Sequence, residues 1–303
     1  MKIGIFDSGF GGLTIYKGIR ALLPEYDFIY LGDNARTPYG NRSFEAIFHF
    51  SKQCIDILFA RDCKIVIIAC NTASAKALRT LQQKVLPTEY PDRKVLGIIR
   101  PSAEALANLF PADSTWNGSE FGSGSNSESG SKSASEARLN ASPAVALWAT
   151  EGTVKSESYP LELAKFAPHI QLIQQACPML VPLVEAGEWE GEASEFFIKK
   201  YWKNTVEQNP KVKIQALLLA CTHYPLLYDK IRAALPSEVK ILLQSDIVAP
   251  SLVDYLKRHP EVEMALTKSG QQTFLTTDQT EGFDRLAKTF LGQSVVSESI
   301  EIA

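Results

Sequence analysis

The sequence has little of what marks membrane, disulfide-rich or nucleic-acid-binding proteins. Its longest apolar runs, such as residues 65–70, are far shorter than the roughly 20 residues needed to span a membrane. The five cysteines are scattered and form no C-x-x-C pair, so free thiols in a reducing compartment are favoured over disulfides or a zinc site. Lys and Arg number 31 against 34 Asp and Glu, a net charge of −3, which provides no basic surface for nucleic acid or an anionic membrane. Because the chain reaches Asp7 before a signal-peptide hydrophobic segment could form, we expect a cytoplasmic protein without membrane or nucleic-acid partners.

What the sequence does contain is an alternation of short apolar runs and longer amphipathic stretches. With 303 residues, 45% of them hydrophobic, the chain is long enough for about two domains with sizeable cores. The runs predicted as buried strands are 3–6, 28–31, 65–69, 95–99, 144–149, 170–173, 216–220 and 239–243. The stretches predicted as helices are 13–22, 43–61, 74–84, 177–185, 193–206 and 228–235. This alternation is typical of βαβ units, so we predict an α/β fold with mostly parallel sheets.

Two further features indicate how the chain is organised. Residues 65–72 and 217–223 resemble each other, because each is an apolar run that ends in Ala-Cys and continues into polar residues. This internal similarity suggests two similar lobes. Residues 113–142 are dominated by Ser, Gly, Asn and Glu and are predicted to form a flexible insertion, since they have too little to bury.

Polar or reactive residues follow the predicted strands, where an open α/β sheet binds its ligands. They lie within 7–12, 32–40, 70–74, 150–153 and 221–225. The glycine-rich segment 9–12 lacks the spacing of a dinucleotide fingerprint and the Gly-Lys-Ser/Thr end of a P-loop. Its free amides favour a carboxylate as the bound anion, and the alternative is a glycine turn used only for tight packing.

Cys70 and Cys221 end equivalent strands, and three chemistries could use them. A metal site would need more ligands than Cys221 and His223 supply. A single thiolate with His223 as its base would be a nucleophile and would leave Cys70 unused. Alternatively, one thiol on each face of a substrate carbon could remove and deliver a proton, which inverts the centre without a cofactor. The two similar lobes favour this last option. The remaining three cysteines, Cys54, Cys63 and Cys177, are interpreted as structural.

Motifs spread over nearly the whole chain resemble those of the glutamate racemases. They are 5–14 (I-F-D-S-G-x-G-G-L-T), 32–33 (G-D), 36–40 (R-x-P-Y-G), 69–74 (A-C-N-T-A-S), 149–153 (A-T-x-G-T), 177–178 (C-P), 180–185 (L-V-P-L-V-E), 221–225 (C-T-H-Y-P) and 274–278 (F-L-T-T-D). The order of these motifs is the one expected for the family, and the visible departure is the Ser-rich stretch 113–142.

The resemblance implies a fold of two similar αβα lobes with the active site in the cleft between them. The first lobe would comprise 1–97 plus 243–303, and the second 98–242 with the insertion. By the same resemblance, Cys70 would handle the α-proton of D-glutamate and Cys221 that of L-glutamate, without cofactor or metal. The implied substrate-binding residues are Asp7, Ser8, Pro38, Tyr39, Gly40, Asn71, Thr72, Thr222 and His223, with Thr153 and Thr150 as weaker candidates. Asp33 and Glu185 are implied as supporting acid/base groups.

The function implied is interconversion of L- and D-glutamate, which supplies D-glutamate for peptidoglycan synthesis and cell shape. Two alternatives stay open at this point. One is a related racemase or decarboxylase that acts on aspartate, a hydantoin or a malonate, because cleft shape decides the substrate. The other is a two-lobed amino-acid-binding protein without turnover, against which the presence of both cysteines counts. A homodimer is plausible by resemblance.

Overall fold

The computed structural model describes residues 1–112 and 142–302. The predicted insertion 113–142 therefore lies outside the described residues except for Ser142. Within these ranges the strands are β1 Lys2–Asp7, β2 Phe28–Gly32, β3 Cys63–Ile68, β4 Lys94–Gly97, β5 Ala144–Ala149, β6 Gln171–Ala176, β7 Ile214–Ala220, β8 Lys240–Leu243, β9 Gln272–Thr276 and β10 Ser297–Ser299. Every pairing described between them is parallel, which confirms the predicted α/β fold class.

The strands form two sheets whose central parts have the same order. One sheet runs β10-β9-β2-β1-β3-β4 and the other runs β6-β5-β7-β8. In each sheet the first strand of the unit lies between the second and the third, and the fourth is at the edge. Both units also carry a register irregularity at the start of the pairing between their first and third strands, at Lys2/Ile3 and at Ala144/Val145. The similarity between residues 65–72 and 217–223 therefore belongs to two equivalent strand ends, those of β3 and β7.

Helices connect the strands and cover the sheets. They are Leu13–Leu22, Phe44–Ala60, Asn71–Lys76, Leu78–Thr80, Leu86–Glu89, Ile99–Leu109, Glu151–Lys155, Ser158–Phe166, Leu180–Glu185, Glu192–Glu207, Tyr228–Ala234, Gln244–Arg258, Pro260–Glu263 and Thr280–Leu291, with 3₁₀ turns at Asn34–Arg36 and Tyr224–Leu227. A π-helical turn, Leu81–Val85, interrupts the region predicted as the single helix 74–84. In the described part of the chain, none of the helices is both long enough and apolar enough to span a bilayer.

In the order of the described strands, the chain passes from the first sheet to the second after β4 and returns after β8. It leaves β4 through helix Ile99–Leu109 to reach β5, and it returns from β8 through helix Gln244–Arg258 to β9. The returning helix packs along helix Leu13–Leu22 beside the first sheet. Apart from Leu243, which ends β8, sheet membership agrees with lobes at 1–97 plus 243–303 and 98–242. This division of the chain stays a prediction.

The predicted strands are found, with differences at their ends and at the C-terminus. The run 95–99 ends as a strand at Gly97, because Ile99 already begins a helix. The helix predicted from 177 begins only at Leu180, because the Cys177 amide still donates to the Ala149 carbonyl (2.9 Å) and so continues the pairing of β6 with β5. The pattern does not predict β9 and β10, because β9 has only two apolar residues and β10, at the sheet edge, has none.

Candidate active site

A cavity of about 230 Å³ lies where the carboxyl ends of strands from both sheets meet. Its walls are Ser8, Thr37, Pro38, Tyr39, Gly40, Asn41, Cys70, Asn71, Thr72, Thr150, Glu151, Cys177, Pro178, Val181, Pro182, Cys221, Thr222 and His223. Cys70 and Cys221 thus line one cavity, one from each sheet. The volume is below the roughly 300–1,000 Å³ of pockets for drug-sized ligands, so the cavity suits a small molecule.

Cys70 lies between the end of β3 and helix Asn71–Lys76. Its sulfur accepts a hydrogen bond from the Ala73 amide (3.5 Å) and so caps this helix. Burial and the nearby Asp7 carboxylate raise the pKa of Cys70 to about 12, against the opposing effect of hydrogen bonds from Ser8 and Ala73. A cysteine with this pKa is a thiol at neutral pH and can donate a proton.

Cys221 occupies the equivalent place after β7, beside a buried imidazole. Its sulfur lies 3.9 Å from Nδ1 of His223, and Nε2 of His223 lies 3.1 Å from Oε1 of Glu185. This second contact has an ion-pair distance, although its direction falls outside hydrogen-bond geometry. Burial by itself lowers the pKa of His223, but the contacts with Cys221 and Glu185 outweigh burial and raise the pKa to about 10. An imidazolium in this position stabilises negative charge on the Cys221 sulfur.

The carboxylate of Asp7 takes up amides of the glycine-rich segment 9–12. Oδ2 accepts from the Gly9 amide (3.0 Å), the Gly12 amide also donates to this side chain, and Oδ1 accepts from the Thr222 hydroxyl (3.4 Å). Complete burial raises the pKa of Asp7, while His223 and these hydrogen bonds oppose the rise. Two of the amides expected to hold a ligand anion are thus already bound to a side chain of the protein.

Gly11 is the point where the loop after β1 meets the loop after β7. A Cβ atom at this position would lie 2.3 Å from Oγ1 of Thr222 and 2.7 Å from Nδ1 of His223. Such distances are far inside van der Waals contact, so only glycine allows the two loops to approach this closely.

Three threonine hydroxyls form a cluster at the side of the cavity. Oγ1 of Thr72 lies 2.9 Å from Oγ1 of Thr150, and Oγ1 of Thr153 lies 3.4 Å from Thr72 and 3.1 Å from Thr150. Thr72 and Thr150 line the cavity, whereas Thr153 is fully buried behind them. Of the two threonines that the resemblance makes weaker candidates, Thr150 thus lines the cavity and Thr153 does not.

Asp33 lies behind Tyr39 rather than in the cavity wall. It forms an ion pair with Nε of Arg36 (2.7 Å), and it accepts hydrogen bonds from the hydroxyls of Tyr39 and Thr277 (2.9 Å for Thr277). Its carboxylate is thus committed to three protein partners. This geometry favours a role in holding the 36–40 segment over the acid/base role that the resemblance implies.

The structure brings most of the expected site residues to the cavity wall: Ser8, Pro38, Tyr39, Gly40, Cys70, Asn71, Thr72, Cys221, Thr222 and His223. Asp7, Asp33, Thr153 and Glu185 are not in the wall. Asp7 and Glu185 lie one contact behind it, against Thr222 and His223.

Cys177 also lines the cavity, although the sequence suggests only a structural cysteine. Its thiol is directed to the Gln175 carbonyl (3.6 Å), and burial, followed by the proximity of Cys221, raises its pKa well above the usual range.

Within residues 1–112 and 142–302, no group of three or more His, Cys, Asp or Glu side chains is placed to hold a metal ion.

Solved structures share the architecture of the described residues. The glutamate racemase isoform RacE1 of Bacillus anthracis is 26% identical with a TM-score of 0.79, and the alignment covers 99% of this chain and 97% of that one. The glutamate racemase of Francisella tularensis, solved in complex with D-glutamate, is 29% identical with a TM-score of 0.77 and the same coverage. Fold and site together define an amino-acid racemase.

The curated relatives identify the family. A glutamate racemase of Jannaschia sp. is 37% identical over 300 residues, which are 99% of this chain and 100% of that protein. The chain belongs to the glutamate racemase family. A scan of protein-family models found no match.

Proposed function

We propose that this protein interconverts L- and D-glutamate without a cofactor, with Cys70 and Cys221 as its two acid/base groups. The observation that carries the proposal is that both sulfur-bearing side chains line one small cavity from equivalent strand ends. A substrate held between them would have one thiol on each face of its α-carbon. The related racemases named above act on glutamate, and one of them was solved with D-glutamate.

The proton transfers follow from the surroundings of the two sulfur atoms. With L-glutamate, Cys221 as thiolate removes the α-proton and becomes a thiol. Cys70 as thiol delivers its proton to the opposite face, which forms D-glutamate and leaves Cys70 as thiolate. Proton exchange then resets the pair for the next turnover. The cationic His223 stabilises the starting thiolate, and the raised pKa of Cys70 keeps its proton available.

Polar groups in the cavity wall would hold the substrate while charge develops on its α-carbon. Ser8, Asn71, Thr72 and Thr222 supply hydroxyl and amide donors for the two carboxylates. Pro38, Tyr39 and Gly40 form the wall beside them, and Thr153 supports Thr72 from behind. Asp7 and Glu185 adjust Cys70 and His223 electrostatically, and Asp33 fixes Tyr39.

We also propose the biological setting that the family implies. D-glutamate would be supplied for peptidoglycan synthesis and cell shape in the cytoplasm, and the protein would act as a homodimer. The two lobes 1–97 plus 243–303 and 98–242, with the active site in the cleft between them, belong to the same proposal.

Incubation with L-glutamate in D₂O tests the reaction. We expect circular dichroism of the substrate to decay to zero, and NMR to find deuterium at the α-carbon of the D-glutamate formed. Cys70→Ser and Cys221→Ser should each lower kcat by about 10²–10⁴-fold, because each removes one of the two proton-transfer groups. Cys63→Ser is the matched control, since Cys63 is a buried cysteine at the start of β3 that does not line the cavity.

Three outcomes would contradict the proposal. A cysteine variant with near-normal racemisation would refute the pair of bases. Turnover of aspartate, a hydantoin or a malonate in preference to glutamate would refute the substrate. Calorimetric binding of glutamate with no change in its optical activity over hours would indicate a binding protein instead of a racemase.

A further inference from the structure

A buried cluster of polar side chains lies directly behind Asn71 in the cavity wall. This Asn71 network consists of Asn71, Ser102, Tyr159 and Gln244, all of them buried. We propose that Gln244 is a positioning residue that, through this network, turns the Asn71 amide so that it presents an N–H donor to a carboxylate in the cavity. This inference rests on the proposed function.

The orientation of the Gln244 amide follows from one main-chain group. Ser102 donates its hydroxyl hydrogen to the Ile98 carbonyl (2.7 Å), and a carbonyl oxygen can only accept. Ser102 must therefore accept from Gln244, whose Nε2 lies 2.9 Å away. The amide of Gln244 is thereby oriented, with its nitrogen towards Ser102 and its oxygen towards Asn71.

The orientation of Gln244 in turn determines that of Asn71. Oε1 of Gln244 lies 2.6 Å from Nδ2 of Asn71 and accepts one of its two N–H groups. Nε2 of Gln244 donates to the Tyr159 hydroxyl (2.9 Å), which donates its own hydrogen to Oδ1 of Asn71 (2.7 Å). A flipped Asn71 amide would set its oxygen against Oε1 of Gln244, which can only accept, and its nitrogen against Nε2 of Gln244, which lies 3.3 Å from Oδ1 of Asn71 and can only donate. The contacts between the two amides would be lost in a buried place, where unpaired polar groups are costly.

One N–H group of Asn71 remains for the cavity. Asn71 lines the cavity, and among the described residues no protein acceptor contacts this second N–H group. A carboxylate is the natural partner for such a donor, and hydrogen bonds to charged groups are stronger than those between neutral groups. The network thus orients Asn71 so that its N–H group, rather than its carbonyl oxygen, is available to a ligand next to Cys70.

The network also connects the site to both crossings between the sheets. Ser102 is on helix Ile99–Leu109, which follows β4, and Gln244 is the first residue of helix Gln244–Arg258, which follows β8. Asn71 begins the helix that Cys70 caps. The orientation of a group beside Cys70 is therefore set by residues at the two places where the chain passes from one sheet to the other.

A double-mutant cycle on glutamate racemisation tests the inference, with Gln244→Met as the perturbation. Methionine has a similar length but no amide, so Asn71 loses its orientation. We expect kcat/KM to fall about tenfold, mainly through a higher KM, because an oriented hydrogen bond to a charged group is lost. In the Asn71→Ala background the same change should alter kcat/KM by less than about twofold, since the group through which Gln244 acts is already absent.

A conservative variant and a control separate positioning from stability. Gln244→Glu keeps an acceptor for Asn71 but has no N–H for Ser102, so its kcat/KM should lie between wild type and Gln244→Met. Thr205→Val breaks another buried side-chain hydrogen bond, from Nε1 of Trp148 (3.0 Å), and should lower Tm while kcat/KM stays unchanged.

The kinetic results that would contradict the role of Gln244 differ from those that would contradict the proposed function. Equal losses of kcat/KM from Gln244→Met in the wild-type and Asn71→Ala backgrounds would overturn the inference, as would no loss in either. A fall in kcat with KM unchanged would also contradict it. If wild type racemises glutamate but the double-mutant cycle is additive, only the proposed role of Gln244 is refuted. Wild type that does not racemise glutamate refutes the proposed function, and this inference with it.

Discussion

Replacing Glu185 by glutamine should lower the pKa of His223 and weaken the support that His223 gives to Cys221. His223 is 3% exposed, and its Nε2 lies 3.1 Å from Oε1 of Glu185. Burial lowers the pKa of this imidazole, and the contacts with Cys221 and Glu185 outweigh burial and raise it to about 10. Glu185→Gln has nearly the same shape and removes one of these two contributions.

The magnitude follows from the distance between the two charges. Unit charges 3.1 Å apart interact by about 5 kcal/mol at an effective dielectric constant near 20, and by about 1.3 kcal/mol in bulk water. Each pK unit corresponds to about 1.4 kcal/mol. Because the Glu185 side chain is 21% exposed, solvent screening brings the value towards the lower figure. We therefore expect the pKa of His223 to be about one to two pK units lower in Glu185→Gln than in wild type.

An NMR titration of the His223 ring protons between pH 5 and 11 measures this difference directly. Glu188→Gln is the matched control, because it removes the same charge from an exposed side chain three residues away. The reasoning is refuted if His223 of the wild type titrates near pH 6.5, or if both glutamine variants titrate like wild type.

The same pKa makes a prediction about stability. The folded-state pKa of His223 is above its ordinary value of 6.5, so folded protein binds this proton more tightly than unfolded protein does. The resulting stabilisation is complete below pH 6.5 and is lost as pH rises towards about 10. Denaturant unfolding should show the free energy of unfolding falling across this window, with a smaller fall for Glu185→Gln.

Three further predictions concern residues one contact behind the cavity. Gly11→Ala should lower kcat/KM by about 10²-fold without unfolding the protein, because its Cβ would displace Thr222, and circular dichroism with kinetics checks both points. Asp7→Asn should lose activity but equal or exceed wild-type stability at pH 8, because burial raises the pKa of Asp7 and wild type loses stability as pH rises through that value. Asp33→Asn should lower the free energy of unfolding by about 3 kcal/mol, because Arg36 loses its buried partner, while the pH dependence of kcat stays unchanged.

Each of these expectations has a definite contrary result. Normal kinetics for the alanine variant at position 11 would mean that the two loops can separate there. An asparagine variant at position 7 that unfolds more readily than wild type at pH 8 would show that hydrogen bonds to the carboxylate outweigh its burial. A displaced pH profile with full stability for the asparagine variant at position 33 would restore the acid/base role that the resemblance implies.

The sequence predicts the central strands well because they are covered on both faces. Runs such as those of β3 and β7 are almost continuously apolar, and this pattern can be recognised in the sequence without knowing which strands lie beside them. The edge strand β10 has the sequence Ser-Glu-Ser and is mostly exposed, so its pairing with β9 depends on tertiary contacts that a local sequence pattern does not contain. Helix Gln244–Arg258 is equally hard to predict, since no side chain caps it and Pro250 lies inside it.

The site shows the same limit at Cys177. The rule that ligands bind at strand ends selects Cys70 and Cys221, and it would have selected Cys177 as well had the strand predicted as 170–173 been extended to Ala176. Pro178 suggests a break, but the Cys177 amide still pairs with Ala149 and carries the strand to the cavity. Gln244 is a different case, because its connection with Asn71 spans 173 positions and exists only in the folded chain.

The repeated strand order surrounds the cavity with two similar frameworks whose contents differ, since Cys70 has Asp7 and Ser8 beside it and Cys221 has His223. Enantiomers have equal free energies in water, so the equilibrium constant between L- and D-glutamate is one. The ratio kcat/KM must then be identical for the forward and reverse reactions, in wild type and in every variant. The chemical difference between the surroundings of Cys70 and Cys221 can therefore appear only in the separate values of kcat and KM for the two directions. Both values must differ by the same factor, so that the ratio kcat/KM stays equal.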